Sequence, residues 1–253
     1  MISKIAPTAS RVLVNGPSGS GKELAARCIH NKSDRKDERF VVANCARLAS
    51  ERVDAELFGS ESLQSHRRIV GLFEQAHKGT LYFDEICDLP LETQGKIVRA
   101  VNEQRFRRVG GNAEVVVDVR VMSASSRDLA TEISAGRLRE DLYYRLNVFP
   151  LNTVTLESRI DDVVPVATFL LQRHVRSPGD MPWLDQSAIT ALREYGWPGN
   201  VRELENVLQR ALVLAEDGVI TSNEILIDDA LNKIAGGAQQ AIGDAFRQRA
   251  AQA

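Results

Sequence analysis

The eight residues Gly16-Pro17-Ser18-Gly19-Ser20-Gly21-Lys22-Glu23 constrain the fold more than any other stretch of this chain. An apolar run at residues 11–15 (RVLVN) leads into them, and a helical pattern at 24–30 (LAARCIH) leads out. Strand, glycine-rich loop and helix, in that order, are the context of a phosphate-binding loop. Glycines let the backbone curl until successive N–H groups face a common centre, and a helix N-terminus adds positive potential there. Gly16, Pro17, Ser18, Gly19, Ser20 and Gly21 would form the cradle, and Lys22 would reach the outer phosphates as a point charge. Glu23 stands where such loops usually carry the Ser or Thr that holds Mg2+. A chance glycine turn is the competing reading, and the flanking strand and helix count against it.

A second landmark is TLYFDE at residues 80–85. Strand-forming residues end in two carboxylates, as a central strand of a parallel sheet does at its ligand-facing end. Asp84 can hold Mg2+, directly or through water, and Glu85 can polarise an attacking water as general base. Residues 115–124 read as a further buried strand ending in Ser125-Ser126, where a polar sensor of a γ-phosphate would sit. Two serines at a strand end are equally a helix-capping start. Residues 40–45 read as a buried strand and 51–58 as a helix. Residues 59–68 read as a loop or short exposed helix, and 91–104 and 138–146 as helices. Arg139 and Arg145 on the last of these would, by composition alone, be surface arginines.

From residue 156 the pattern changes to helices only, at 162–174, 185–195 and 201–216, with Asn200 as the N-cap of the third and 222–235 closing the small domain. Residues 176–181 read as a loop. The tail from 236 is rich in Gly, Gln and Ala and reads as linker. The division expected is therefore 1–155 as an α/β nucleotide-binding core, 156–235 as an all-α lid and 236–253 as tail. A formal net charge of −2 gives no case for general nucleic-acid or membrane binding. Three scattered cysteines, Cys28, Cys45 and Cys87, read as buried thiols of a reducing compartment rather than a disulfide frame or metal site. No apolar run approaches membrane length and the N-terminus has no signal-peptide core, so a cytoplasmic protein without membrane contact is expected. A first strand so near the start suggests a chain cut from a longer one.

Together, GPSGSGKE (16–23), VANCARL (42–48), ELFG (56–59), GLFEQAHKGTLYFDEI (71–86), LREDLYYRLNV (138–148) and WPGNVRELENVLQR (197–210) resemble the central AAA+ ATPase domain of NtrC-like, sigma-54-dependent activators. Within that group the chain looks most similar to the NtrX type. The resemblance implies an α/β AAA+ P-loop NTPase with a parallel sheet and a small helical lid. It implies ATP or ADP with Mg2+ as ligands, and a glutamate after the loop lysine, as in Glu23. By the same resemblance Asp84 is the metal-binding aspartate, Glu85 the catalytic base and Asn44 the asparagine that switches it. Arg139 and Arg145 match arginine fingers that reach a neighbouring subunit's γ-phosphate, and Arg202 matches the lid's sensor arginine. Such arginines act on charge developing during phosphoryl transfer.

Two strings depart from the pattern. Ser125-Ser126 replaces the usual Thr-Asn, leaving Ser126 to meet phosphate. Residues 59–68 (GSESLQSHRR) replace the GAFTGA loop that grips sigma-54. The expected reading is an Mg-ATP hydrolase of a two-component response regulator that self-associates, from dimer to ring. DNA would be met through a missing C-terminal domain and a sensor histidine kinase through a missing receiver domain; contact with RNA polymerase stays open. The alternative is a nucleotide-binding oligomerisation module with little turnover, in a regulator that acts by occupying DNA. A metabolic kinase is disfavoured, because nothing resembles an acceptor-substrate site.

Overall fold

The computed structural model describes residues 1–48, 51–62, 67–175, 182–215 and 217–227. Five parallel strands form one sheet: β1 (Val12–Asn15), β2 (Phe40–Asn44), β3 (Thr80–Asp84), β4 (Arg120–Ser125) and β5 (Phe149–Asn152). Their spatial order is β2-β3-β4-β1-β5. β1 is thus flanked on both sides, and the glycine-rich loop leaves from its C-terminal end, where open parallel sheets bind ligands. The registers place Asn44 opposite Asp84 and Asn15 opposite Ser125.

Alternation along the strands sorts the core into two faces. Val12, Val14, Tyr82 and Met122 pack with Ala26 and Ile29 of helix α1 (Lys22–Asn31). Leu13, Leu81, Phe83 and Val121 pack with Ile97 and Ala100 of α2 (Leu91–Glu103) and Leu142 of α3 (Glu140–Leu146). Each of these large apolar side chains contributes about 1.5–3 kcal/mol by leaving water.

The chain divides into two compact units, residues 1–17 with 21–153, and residues 18–20 with 154 onward. The second unit is built on α4 (Val163–His174), α5 (Gln186–Glu194) and α6 (Asn200–Leu214). Its core holds Leu170, Leu192, Leu204 and Leu208 around a fully buried Trp197, whose Nε1 donates to Leu192 O at 2.8 Å. Asp185 caps α5 by accepting from Ala188 N. No helix among the described residues is long and apolar enough to cross a membrane.

Several expected elements differ. Strand β2 lies at the sheet edge and buries only Ala43, so it is half-exposed, and Cys45 falls on the following turn. The single strand expected over 115–124 is two. Gln104 takes Val119 N on Oε1 at 2.8 Å and Val117 N on its backbone carbonyl at 2.8 Å, which turns the chain at 117–119. Glu114–Val116 therefore pairs antiparallel with Arg105–Arg107, and only Arg120–Ser125 joins the main sheet. The stretch 59–68 is neither helix nor free loop: Ser60–Ser62 pairs antiparallel with Arg67–Ile69, and residues 63–66 lie outside the described residues. Helix α3 starts at Glu140, leaving Arg139 as its N-cap. β5, unexpected from the sequence, completes the sheet. The second unit is not helices only, because Trp183–Leu184 pairs in parallel with Val219–Ile220. Asn200 is not the N-cap of α6 but its first residue, at φ 53°, with Gly199 before it. Cys28 is half-buried, while Cys45 and Cys87 are buried. The expected loop at 176–181, the end of the 222–235 segment and the tail lie outside the described residues.

Candidate nucleotide site

The candidate site begins where β1 ends. Gly16 sits at φ 151°, and a Cβ there would stand 2.1 Å from Thr153 Oγ1, so no other residue fits the first bend of the loop. Gly21, at φ 96°, is the N-cap of α1 and turns the chain so that Lys22 is the first helical residue. Lys22 is 6% exposed. Its Nζ donates to Gly16 O at 2.9 Å and Pro17 O at 3.2 Å, and lies 3.3 Å from Glu85 Oε1. The loop lysine and the second carboxylate of the 80–85 strand, distant in sequence, therefore face each other.

Glu85 follows β3 with φ 57° and ψ 60°, a left-handed conformation costing a non-glycine residue about 1–3 kcal/mol. That turn brings its other oxygen, Oε2, to Ser126, which donates from N at 2.7 Å and from Oγ at 2.9 Å. Lys22, Glu85 and Ser126 form one continuous polar line across the ends of β1, β3 and β4. Asp84, one residue earlier, accepts from Tyr82 Oη at 3.3 Å. Burial, then the neighbouring Glu85 charge, raises the Asp84 carboxyl above the ordinary aspartate range. Burial raises the Tyr82 phenol as well.

The donor set around Asp84 suits one kind of metal. No group of three or more His, Cys, Asp or Glu side chains capable of holding an ion occurs among the described residues. A cation that takes one protein carboxylate and completes its shell with phosphate oxygens and water, as Mg2+ does, fits such a site; a structural zinc does not. Glu23 is engaged elsewhere, accepting from Arg27 Nε at 2.8 Å.

Within the second unit, the loop tip 18–20 is tied to α6 and its approach. Asn200 Nδ2 donates to Ser18 O at 3.0 Å, Arg202 Nη1 to Ser18 Oγ at 2.9 Å and Arg159 Nη2 to Ser20 O at 3.0 Å. Arg202 thus touches the loop tip through Ser18. The sequence marks Asn200 only as a helix cap and does not mark Arg159. Asn200 lay in the WPGN string, where its turn propensity masked a side chain reaching back to Ser18. Nothing local distinguishes Arg159.

Residues 1–152 match the family model for the sigma-54 interaction domain, and residues 157–240 match that for the AAA+ ATPase lid domain. The chain belongs to the sigma-54 interaction domain family. It is 44% identical over 215 residues to the nitrogen assimilation regulatory protein NtrX of Azorhizobium caulinodans, covering 85% of this chain and 47% of that protein. It is 43% identical over 233 residues to the response regulator protein PilR of Pseudomonas aeruginosa, covering 90% of this chain and 52% of that one. A crystal structure of NtrX from Brucella abortus in complex with ATP superposes with a TM-score of 0.82 at 38% identity, covering 92% of this chain and 52% of that one. The chain spans about half the length of the curated relatives it matches. The α/β fold with its five-stranded parallel sheet is that of AAA+ P-loop NTPases.

Of the residues expected at the site of this sigma-54 interaction domain, Lys22, Glu85 and Ser126 are bonded in line, and Asn44 and Asp84 are register partners beside them. Arg139 and Arg145 are not joined to that line. Arg139 forms a two-bond pair with Asp141, at 3.0 and 2.8 Å. Arg145 lends its carbonyl to Arg11 and keeps a buried Nε that has no hydrogen-bond partner among the described residues.

Proposed function

We propose that this chain is the Mg-ATP-binding and hydrolysing AAA+ domain of a two-component transcriptional response regulator of the NtrX type, and that it is not a standard sigma-54 activator. The observation that carries the reading is the Lys22–Glu85–Ser126 line. A cation, a carboxylate and a hydroxyl converge where a nucleotide's terminal phosphate would end a glycine-rich loop. The ATP complex of the Brucella relative supports the same ligand here. In this reading residues 1–155 are the nucleotide core and 156–235 the lid. Lys22 and the loop N–H groups hold phosphate, Glu85 takes a proton from water, and Ser126 and Asn44 orient Glu85. Asp84 would hold Mg2+, which neutralises charge on the phosphates. Arg139 and Arg145, unengaged with their own site, serve a neighbouring subunit's. DNA and a sensor kinase would be met through further domains in a cytoplasmic protein.

The non-activator part rests on residues 59–68, a polar string where the resemblance to sigma-54-dependent activators implies a GAFTGA loop. The same segment supports a second reading, a nucleotide-dependent oligomerisation module with little turnover. ATPase measured against protein concentration separates them. Specific activity that rises with concentration supports hydrolysis completed between subunits. Lys22→Ala is expected to weaken ATP affinity by roughly 10- to 150-fold, the equivalent of about 1.5–3 kcal/mol. Lys22-dependent binding without turnover at any concentration would select the second reading. Unchanged affinity in Lys22→Ala would sink both.

A further inference from the structure

Gln94, on the first turn of α2, has no exposed surface and no apolar role. Its Nε2 donates to Leu89 O at 2.8 Å and to Arg137 O at 2.9 Å. Its Oε1 accepts from Arg139 N at 2.9 Å. Carbonyl oxygens can only accept and a peptide N–H can only donate, so the three partners fix which end of the amide is which. Both N–H bonds and one carbonyl site are used, on two separate segments. One segment is the end of the turn that follows Glu85, which closes at Leu89. The other is the backbone immediately around Arg139. No other side chain of this size does the same: glutamate has no donor pair when ionised, and methionine has neither donor nor acceptor of strength.

We propose that Gln94 is a positioning residue for phosphoryl transfer. It clamps residues 137–139 to the Leu89 end of the Glu85 turn, and so fixes where Arg139 stands for a neighbouring subunit. The proposal rests on the reading of Arg139 as a finger acting between subunits. A buried amide with all three bonds made holds its partners in one geometry, since losing any of them strands a buried polar group. The segment has a second anchor that steadies it from the outer side. Arg137 pairs with Glu132 through Nε at 2.9 Å and Nη2 at 2.7 Å. Arg139's own side chain is left at the surface, 44% exposed, so the backbone clamp rather than side-chain packing sets its origin. Misplacing a catalytic group by about 1 Å can cost 10²-fold in rate.

The experiment uses Gln94→Met, which keeps size and removes all three bonds. Amide exchange read at Arg139 is expected to accelerate at least about tenfold, while ATP affinity stays within about twofold of the parent. Turnover is expected to fall by about 100-fold with KM little changed. Mixed with Lys22→Ala subunits, which keep an intact finger segment, Gln94→Met subunits should regain activity, as Arg139→Ala subunits should in the same mixture. Unchanged exchange at Arg139 overturns the clamp. Lost ATP affinity, or no recovery where the Arg139→Ala mixture recovers, overturns the action through Arg139. If the Arg139→Ala control mixture itself stays silent despite co-assembly, the between-subunit reading falls and takes the catalytic part of this proposal with it. Should Gln94→Met be insoluble, Gln94→Glu, which keeps the acceptor for Arg139 N but loses both bonds to Leu89 O and Arg137 O, is read by the same turnover and mixing measurements, with the same outcomes.

Discussion

Two ion pairs in the same α/β unit, each built on a buried cation, differ in nearly every respect that matters. Arg108 meets Glu74 fork to fork, with Nε at 2.8 Å and Nη2 at 2.6 Å, and the two side chains are 6% and 10% exposed. Arg68 adds a third bond to Glu74 at 2.9 Å. Burial alone would raise the Glu74 carboxyl, but the bonds from Arg108 and Arg68 outweigh it and hold it below the ordinary range. The Lys22–Glu85 pair has one contact at 3.3 Å, and each partner is shared with other groups. The first pair is closed: its hydrogen bonds are spent within the protein, and it fastens the Arg105–Arg107 strand region to the short helix at Leu72–Gln75. The second is open: a lysine with carbonyl partners and a carboxylate with a serine can exchange those partners for phosphate and water. Geometry, more than burial, separates a pair that holds the fold from one that can do chemistry.

The sharpest way to break this comparison is Glu85→Gln, which keeps shape and removes the proposed base. Turnover is expected to fall by about 10²–10⁴-fold while ATP affinity and thermal midpoint barely move. A variant that hydrolyses ATP at the parent rate would place the open pair in the structural class after all. Arg108→Ala tests the other side. Removing one partner of a buried pair costs about 3–5 kcal/mol, so the urea midpoint should drop steeply, with ATP affinity little changed in whatever remains folded. A loss of nucleotide affinity with intact stability would reverse the two assignments. The smallest effect is expected at Glu132, whose pairing with Arg137, then Arg127, lowers its pKa from 4.5 to about 2. A depressed carboxylate gives stability that is complete above the unfolded value and lost as pH falls through the folded one. Stability should therefore decline between about pH 4.5 and 2 in the parent and more gently in Glu132→Gln, measured by chemical denaturation across that range. Parallel profiles would mean that this pair contributes nothing through ionisation.

The parts legible in the sequence were those where chemistry and local structure coincide. Residues 16–23 announce a strand, a loop and a helix at once, and residues 80–85 end a buried strand in acid, so both strand ends and their neighbours followed. What stayed hidden depended on side chains that bond far along the chain. Gln104 looks like any polar residue at a helix end, yet it pins Val117 and Val119 and divides one apolar run into two strands. Residues 59–68 carry no periodicity, and their pairing is set by Val109, which exchanges backbone bonds with Gly59 and Glu61. β5 contains Pro150 and alternates between half-buried and exposed positions, so it lacks the apolar run that marks a central strand. Asn200 reads as a cap because asparagine favours caps, while its side chain serves Leu156 N and Ser18 O.

Arg120 opens β4, and its guanidinium, almost wholly buried, donates to the carbonyls of Ser10, Ala6 and Ile5 at 3.2, 2.8 and 3.1 Å. The consequence is a rule for where this chain can be shortened. Strand and helix patterning alone would invite a cut just ahead of Val12, because nothing earlier belongs to the sheet. Such a cut would remove all three acceptors at once and leave a cation in the interior, at the head of the strand whose far end leads to Ser126. The minimal folding fragment therefore starts before Ile5, and its edge is set by the partners of one arginine rather than by the first residue of the sheet.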